Sequence, residues 1–381
     1  MTTQPAARPQ PTSPEELEDL RSSVRALLSD KSDQDAVRAA IESKAGYDTA
    51  LWAQLAEQIG APALALPEQY GGAGYGYVEL GVVLRELGRA LVPAPFFSSV
   101  VLAGSAIVAS EDAAAQERWL PGIAAGSTLA GLALLEADGR WRSTDFATRA
   151  TERADHWALS GTKTLVLDAV ACGLLVVAAD TPHGAGLFLV EAGATGLDVA
   201  DLKTLDLTRR VGRVSFSDTP AVRLGAGRDA TAVLEQVLDR AMAALAAEQV
   251  GAARACLDLS VAYANDRIQF GRPIGSFQAV KHTCADMLTR LEVAEAAAIE
   301  AARAVDGRPD AAPVGEATAV AHAVCSEAFM FIAAQTIQVH GGIGFTWEHP
   351  AHLYFRRAKS SQLLFGGPSV YYERLLRRWG V

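Results

Sequence analysis

Apolar residues recur at helical spacing near the N-terminus of the chain. The period is clear at residues 51–59 and again at 77–91. Ser13, Pro14 and Glu16 precede these stretches in the order of an N-cap, a first-turn proline and a capping-box glutamate. The pattern predicts a helical region that begins near residue 13 and continues to about residue 126.

The middle of the chain has a different texture. Short runs of β-branched and apolar residues lie at positions 157–162, 174–178, 186–190 and 211–216, and glycine, aspartate, threonine and proline separate them. Such runs are typical of strands. We predict a small β-domain here, either a barrel or a sandwich.

From about Asp229 the helical period returns and holds to the end of the chain, with breaks at 271–275 and 341–350. The helical stretch at residues 232–266 is long. A helix of about thirty residues would span roughly 45 Å, which suits a bundle whose ends meet other subunits. The predicted domains are a disordered tail at 1–12, a helical domain at 13–126, a β-domain at 127–228 and a helical bundle at 229–381.

The composition excludes several classes of protein. The chain of 381 residues has a formal net charge of −10, so a nucleic-acid binder with a clustered cationic face is not expected. The basic runs at 356–357 and 374–378 are interpreted as helix-end or subunit-interface charge. No apolar run reaches the roughly eighteen residues of a membrane span, and none resembles a signal peptide. With no C-x-x-C pair among four cysteines, a reduced, cytoplasmic protein is predicted.

Candidate chemistry follows the long helical run. The sequence YANDRIQFGRPIGSFQ at 263–278 brings Arg267, Phe270 and Gln278 close together, and Pro273 stops a helix between them. An arginine fork can hold a pyrophosphate through two hydrogen bonds. Phe270 offers a flat apolar contact, and Gln278 can donate to and accept from the edge of a ring. This combination predicts part of a nucleotide site.

A second segment, QVHGGIGF at 338–345, contains paired glycines. Gly341 and Gly342 lack β-carbons, so the phosphates of a ligand could approach backbone N–H groups closely. The two segments together predict a nucleotide-binding site.

In this order, the two segments resemble the C-terminal signature of the acyl-CoA dehydrogenase family of flavoproteins, roughly R-x-x-F-G-x-x-I-x-x-x-Q and later Q-x-x-G-G-x-G. PEQYGG at 67–72 and LSGTK at 159–163 resemble parts of the family's first two domains. The resemblance implies an α+β fold with an N-terminal helical domain, a middle β-barrel or sandwich and a C-terminal four-helix bundle.

The resemblance also implies FAD as the cofactor, an acyl-CoA as the substrate and an electron-transfer flavoprotein as the acceptor. In the family, these two motifs contact the nucleotide end of a FAD that a neighbouring subunit mainly holds, so the implied site lies at a subunit interface. The implied cofactor-binding residues are Arg267, Phe270, Ile274, Phe277, Gln278, Gln338, Val339, Gly341 and Gly342.

The catalytic carboxylate of the family is missing. The family's reaction removes the α-proton of the thioester and transfers a hydride from the β-carbon to the flavin, so it needs one carboxylate as general base. Alignment of residues 356–359 with the family's R-D-A-K places Phe365 or Gly366 where that glutamate stands. The second family position for the base, on the long helix, matches Ala241.

Glu248 is the remaining candidate base. It lies seven residues after Ala241 in an apolar run, on nearly the same face of the predicted helix. Burial there would favour its protonated form, as suits a base that works near neutral pH. The alternative is a structural carboxylate that pairs with a buried arginine or caps a helix. A displaced Glu373 is the second candidate.

The segments that cradle the flavin ring in the family are altered as well. The stretch that resembles T-E-P-x-A-G-S-D reads LEADGRW at 135–141 and lacks the glycine-serine turn. The W-I-T element reads Leu165, Val166 and Leu167, without the indole and the hydroxyl. The chain therefore retains the parts for the nucleotide end of the cofactor and has lost those for the ring and the base.

Four functions fit these observations. The first is one subunit of a hetero-oligomeric, α2β2 acyl-CoA dehydrogenase for bulky acyl thioesters, with the base and the ring-binding residues on a homologous partner. The second is a self-sufficient homotetramer with Glu248 or Glu373 as base. The others are a structural or regulatory subunit without flavin, and a flavin monooxygenase or oxidase of the same fold.

Two further motifs have simpler interpretations. The glycines at 71–76 do not match G-x-G-x-x-G after a strand, so they predict a loop between helices. His340, His349 and His352 with Glu348 invite a metal site. Loop packing is enough to explain them, and no metal is predicted.

Overall fold

The computed structural model describes residues 12–381, so the predicted disordered tail lies outside the described residues except for Thr12. The predicted capping box is present: the Ser13 hydroxyl accepts from the Glu16 N–H at 3.2 Å, and the Glu16 carboxylate accepts from the Ser13 N–H at 2.8 Å. The N-terminal helices are α1 (Pro14–Lys31), α2 (Gln34–Glu42), α3 (Thr49–Glu57), α4 (Tyr77–Arg89), a π-helical segment (Phe97–Gly104) that runs into α5 (Ser105–Ala109), and α6 (Ala113–Ala124).

The middle region is one seven-stranded sheet. Its strands are β1 (Ala130–Ala133), β2 (Arg149–Glu152), β3 (Trp157–Leu167), β4 (Leu174–Thr181), β5 (Gly184–Glu191), β6 (Leu197–Asp201) and β7 (Val211–Leu224). β4 pairs with β5 along one edge and with β1 and β2 along the other. Since β2 also pairs with β3, β3 with β7, and β7 with β5, the strands close into a ring. Of the two predicted forms, the barrel is therefore the one observed.

The C-terminal region is helical. Its helices are α7 (Ala230–Asp266), α8 (Gln278–Val305), α9 (Val314–His340), α10 (Ala351–Leu363) and α11 (Pro368–Arg378), and a short hairpin of β8 (Ile268–Gln269) and β9 (Arg272–Pro273) joins α7 to α8. The three long helices pack against one another, and α10 and α11 pack against α9. The predicted domain boundaries stay predictions; the last N-terminal helix ends at Ala124, and α7 begins at Ala230.

The long helix α7 forms the centre of the molecule. It begins at Ala230 because the Asp229 carboxylate accepts from the Thr231 N–H at 2.9 Å, and it is 37 residues long. Every residue from 241 to 253 is buried. Helix α4 crosses α7 so closely that a β-carbon at Gly88 would lie 2.1 Å from the carbonyl oxygen of Glu248. This crossing places Glu248 in the interior.

Among residues 12–381, one helix segment is long and apolar enough to cross a membrane by length and composition. It spans Val314–Phe345, with a mean hydropathy of 1.5 over its most apolar window, and 67% of that window is buried within the fold. Such burial is typical of the core helix of a bundle.

Candidate functional site

The two predicted nucleotide-binding segments meet at one end of the bundle. The rings of Tyr263 on α7 and His340 on α9 stack with centroids 4.5 Å apart and an interplanar angle of 27°. Arg267 follows Tyr263 by about one helical turn, and Gly341 follows His340 directly. Segments that are far apart in sequence therefore form one surface.

The hairpin after α7 has a strained and exposed tip. Phe270 and Gly271 connect its strands with φ values of 51° and 75°, and a two-residue turn with both angles positive is of the type I′ class. A positive φ costs a bulky residue such as phenylalanine about 1 kcal/mol or more. Yet the Phe270 side chain is 92% exposed, and its ring contact is an edge-on one with Phe277 at 6.0 Å. The contacts of Phe270 within the described residues do little to offset this cost. Backbone strain of this kind is common at binding sites.

Polar side chains near the hairpin are exposed and unpartnered. Arg267, Gln278 and Gln338 are exposed, and none of their side chains makes a hydrogen bond or an ion pair within residues 12–381. Gln278 begins α8, whose N-terminus has no side-chain cap, so its first N–H groups are open to an anion. The implied apolar contacts, Ile274, Phe277 and Val339, are half-buried.

The paired glycines leave open space. A β-carbon at either Gly341 or Gly342 would meet no atom within 4 Å, and only Gly341 has a positive φ, of 62°. Nothing in the fold of this chain requires glycine at position 342. Glycine would be required at position 342 if a ligand approached the backbone closely there.

This set of groups fits the nucleotide end of a dinucleotide. A free guanidinium suits a pyrophosphate, open N–H groups and paired glycines suit phosphate oxygens, and a bare aromatic ring suits a flat heterocycle. The surface can therefore bind and orient such a group, although it holds no base for proton transfer.

The Glu248 carboxylate is in a different situation. One of its oxygens, Oε1, accepts from Arg209 Nη2 at 2.5 Å and from Arg357 Nη1 at 2.6 Å, and all three side chains are buried. Arg357 also donates to the Thr208 carbonyl oxygen at 2.8 Å and lies 3.2 Å from the Asp206 carboxylate. These contacts are those of the structural alternative, a carboxylate paired with buried arginines.

Arg357 corrects one interpretation of the sequence. The basic run 356–357 was expected to be helix-end or interface charge, which is wrong for Arg357, because its side chain is 5% exposed and completes a buried ion-pair network. The sequence reasoning also missed the other members, Asp206 and Arg209. The available signal was a carboxylate in an apolar run, since a buried charge requires a partner.

Phe365, which with Gly366 is one of the two positions predicted to match the family's glutamate, belongs to an aromatic cluster. Its ring stacks on Phe97 with centroids 6.0 Å apart and contacts Trp141 edge-on at 5.1 Å. Tyr371 donates its hydroxyl to the Phe365 carbonyl at 2.6 Å, which holds the loop in a conformation with φ of 65° at Phe365. Phe365 and Trp141 thus link the altered catalytic loop to the altered ring-binding segment.

Little space remains between these groups. A cavity of about 20 Å³ lies among Glu248, Arg357, Phe97, Leu167 and Asp168, and such a volume holds about one water molecule. Burial raises the pKa of Asp168 to about 6, although the Ser98 hydroxyl donates to its carboxylate at 2.6 Å. The chain fills this pocket with its own side chains.

The segment LEADGRW has a structural role. Burial would raise the pKa of Glu136, but the N–H groups of Ala147 and Thr148 and the Lys163 ammonium outweigh it and lower this pKa to about 2. The three donors lie 2.6, 2.7 and 2.9 Å from the carboxylate. Glu136 therefore fixes the segment to the barrel.

The remaining candidates lie on the surface or in ring stacks. Glu373 is exposed and pairs with Arg377 on α11 at 2.5 Å. The His349 ring lies against that of His340 with centroids 4.3 Å apart and an interplanar angle of 48°, and burial together with the neighbouring histidines lowers the pKa of His349 to about 4. Within the described part of the chain, no group of three histidine, cysteine or acidic side chains is arranged to hold a metal ion.

Comparison with known proteins identifies the family. The models "Acyl-CoA dehydrogenase, N-terminal domain" and "Acyl-CoA dehydrogenase, C-terminal domain" match residues 14–127 and 230–379. The acyl-CoA dehydrogenase IpdE2 of Mycolicibacterium smegmatis is 38% identical over 364 residues, which cover 95% of this chain and 98% of that protein. This chain belongs to the acyl-CoA dehydrogenase family.

Solved structures of acyl-CoA dehydrogenases match most of the length of this chain. A variant of the steroid ACAD Tcur3481–Tcur3483 matches with a TM-score of 0.86 at 35% identity, covering 95% of this chain and 96% of that chain. The ChsE4–ChsE5 complex of Mycobacterium tuberculosis matches with a TM-score of 0.87 at 29% identity, covering 97% and 98%. Acyl-CoA dehydrogenases are FAD-dependent acyl-CoA oxidoreductases, so the predicted fold, class of enzyme and cofactor are confirmed. The roles of individual residues stay predictions.

Proposed function

We propose that this chain is one subunit of a hetero-oligomeric acyl-CoA dehydrogenase. It completes a FAD site whose ring-binding residues and catalytic base lie on a homologous partner chain. The observation that carries the proposal is a contrast within one chain. Polar groups at the bundle end lack partners among the described residues, whereas the pocket around Glu248 is filled by ion pairs and aromatic rings.

FAD, when bound, supplies the acceptor for the hydride of the acyl β-carbon. The part played by this chain is to hold the nucleotide end. Arg267 neutralises the pyrophosphate, Gln278 and Gln338 donate hydrogen bonds, and Gly341 and Gly342 admit the phosphates to the backbone N–H groups. Ile274, Phe277 and Val339 form the apolar floor. None of these groups accepts the α-proton, so the proton transfer falls to a carboxylate of the partner.

The proposed substrate is the CoA thioester of a bulky, steroid-like acid, since the similar protein Tcur3481–Tcur3483 is a steroid ACAD. An α2β2 assembly with a homologous acyl-CoA dehydrogenase chain is proposed because ChsE4 and ChsE5 form a complex. An electron-transfer flavoprotein is the proposed acceptor, and the cytoplasm stays the predicted location.

Two measurements test the proposal: the flavin content and the native mass of this chain, purified alone and after co-expression with an acyl-CoA dehydrogenase chain encoded beside it. We expect little flavin in the chain alone, and about half a flavin per chain in a mixed tetramer of both. About one flavin per chain in a homotetramer would contradict the split site and favour Glu248 as base. A mixed tetramer without flavin would favour a structural subunit.

A further inference from the structure

The hairpin between α7 and α8 presents two arginines on the same face. The Ile274 N–H donates to the Arg267 carbonyl at 2.8 Å, so these residues lie opposite each other, and Gln269 lies opposite Arg272. Directly opposite residues share a face of a hairpin, and side chains alternate between faces along each strand. Arg267 and Arg272 are therefore diagonal neighbours, with backbones roughly 7–8 Å apart.

An aromatic ring holds the second arginine in place. The Arg272 guanidinium lies over the ring of Phe277, 4.1 Å from its centroid, and Phe270 contacts the edge of that ring. Stacking of this kind restricts the long arginine side chain while leaving its N–H donors free. The fork is thus oriented before any ligand arrives, which lowers the entropy that binding must overcome.

Neither arginine has a counter-charge. Within residues 12–381, no carboxylate forms an ion pair with Arg267 or Arg272, and the adjacent Asp266 pairs with neither of them. Elsewhere in the chain, exposed arginines such as Arg118 and Arg149 do find carboxylates. Two uncompensated guanidinium groups on one face match a ligand with two adjacent negative charges.

We propose that Arg272 is a second ligand of the FAD pyrophosphate. Arg267 and Arg272 each contact one phosphate, and Phe277 positions the Arg272 guanidinium. The inference rests on the proposed FAD half-site and adds a residue that the family pattern leaves open, because position 272 is one of its unspecified positions. It also predicts selectivity, since FMN has one terminal phosphate and no pyrophosphate bridge.

The experiment titrates the flavin-free complex of this chain and its partner with FAD and with FMN. Arg272→Ala should weaken FAD binding about tenfold and leave FMN binding unchanged. Arg272→Lys keeps the charge without the flat fork. Its FAD affinity should lie between those of Arg272→Ala and the unsubstituted chain. The control is Arg290→Ala on α8, since Arg290 also stacks on a phenylalanine, Phe331, at 4.2 Å. Its FAD affinity should not change.

Three results would overturn the proposal. If Arg272→Ala binds FAD as tightly as the unsubstituted complex, Arg272 is not a ligand of the cofactor. If FAD and FMN weaken together, or if the native mass changes, Arg272 acts on the flavin ring or on an ion pair with the partner chain. If the unsubstituted complex binds no FAD, the proposed function itself fails, and this inference fails with it.

Discussion

The two arginines that pair with Glu248 on α7 and the arginine that directly follows α7 differ in how their charge is satisfied. Arg209 and Arg357 are buried and share the carboxylate of Glu248. Arg267 is exposed at the helix end and has no carboxylate within the described residues. A buried guanidinium must find its counter-charge within the fold, because desolvation otherwise costs several kcal/mol. An exposed arginine beside a strained, bare phenylalanine has no such requirement, and its partner is expected to come from outside.

Under the proposed split site, this comparison would explain how one chain keeps only half of an active site. Aromatic and charged side chains fill the pocket around Glu248, and this packing contributes to the stability of the chain. The exposed Arg267, Gln278 and Gln338 side chains have no partner among the described residues, and we propose that they and the open glycines serve binding. The predictions below test this division between folding and binding.

Glu248→Gln is expected to have the largest effect. It leaves the buried Arg209 without an ion-pair partner and Arg357 with Asp206 alone, so the free energy of unfolding should fall by roughly 3–5 kcal/mol. Denaturant unfolding of the chain measures this loss. Glu235→Gln, at an exposed position of the same helix, is the matched control and should stay within about 0.5 kcal/mol. Unchanged stability with turnover lowered by orders of magnitude would instead make Glu248 the base.

Arg267→Ala is expected to weaken FAD binding about a hundredfold, because a charge-assisted contact to the pyrophosphate is lost. Its free energy of unfolding should not change, since the exposed side chain makes no hydrogen bond or ion pair within the described residues. Fluorescence titration of the flavin-free complex measures the affinity, with Arg290→Ala as control. Full flavin retention by the Arg267→Ala complex would refute the pyrophosphate contact.

Two glycine substitutions should separate folding from binding. Gly342→Ala should leave the melting temperature unchanged, because its new β-carbon meets no atom within 4 Å, and should weaken FAD binding about tenfold. Gly88→Ala should lower the melting temperature, since its β-carbon would lie 2.1 Å from the Glu248 carbonyl oxygen. Thermal unfolding and FAD titration of both variants provide the comparison. Normal FAD affinity in Gly342→Ala would remove the glycine pair from the site.

The smallest expected effect is a pH dependence. The pKa of His349 is lowered from 6.5 to about 4 in the folded chain. Between these values the unfolded chain binds a proton that the folded chain does not, so stability should fall as the pH drops from 7 to 5. His349→Phe keeps a ring and should flatten this slope in melting temperature. Asp168, whose pKa burial raises to about 6, acts in the opposite direction in both proteins and cancels in the difference. If the melting temperatures of His349→Phe and the unsubstituted chain change equally with pH, His349 is not the group responsible.

Local patterns were enough for much of the fold. The Ser13 capping box was predicted from neighbouring residues and is confirmed. The long helix was predicted to end at Asp266, and it does. The motif residues from Arg267 to Gln278 and from Gln338 to Gly342 could also be found, because they form two short segments. Each of these features depends on residues that are close in sequence.

The tertiary structure decided what sequence patterns could not. Arg209 and Arg357 lie 39 and 109 positions from Glu248, so no local period indicates that they share one carboxylate. The contact of Phe365 with Phe97 and Trp141 likewise joins three separate regions. The sequence by itself determined the family and the order of the helical and β regions, and it predicts that the family's base is missing at Phe365 or Gly366. Only the packing of distant segments decided that Glu248 is paired and that the nucleotide-binding segments form one open surface.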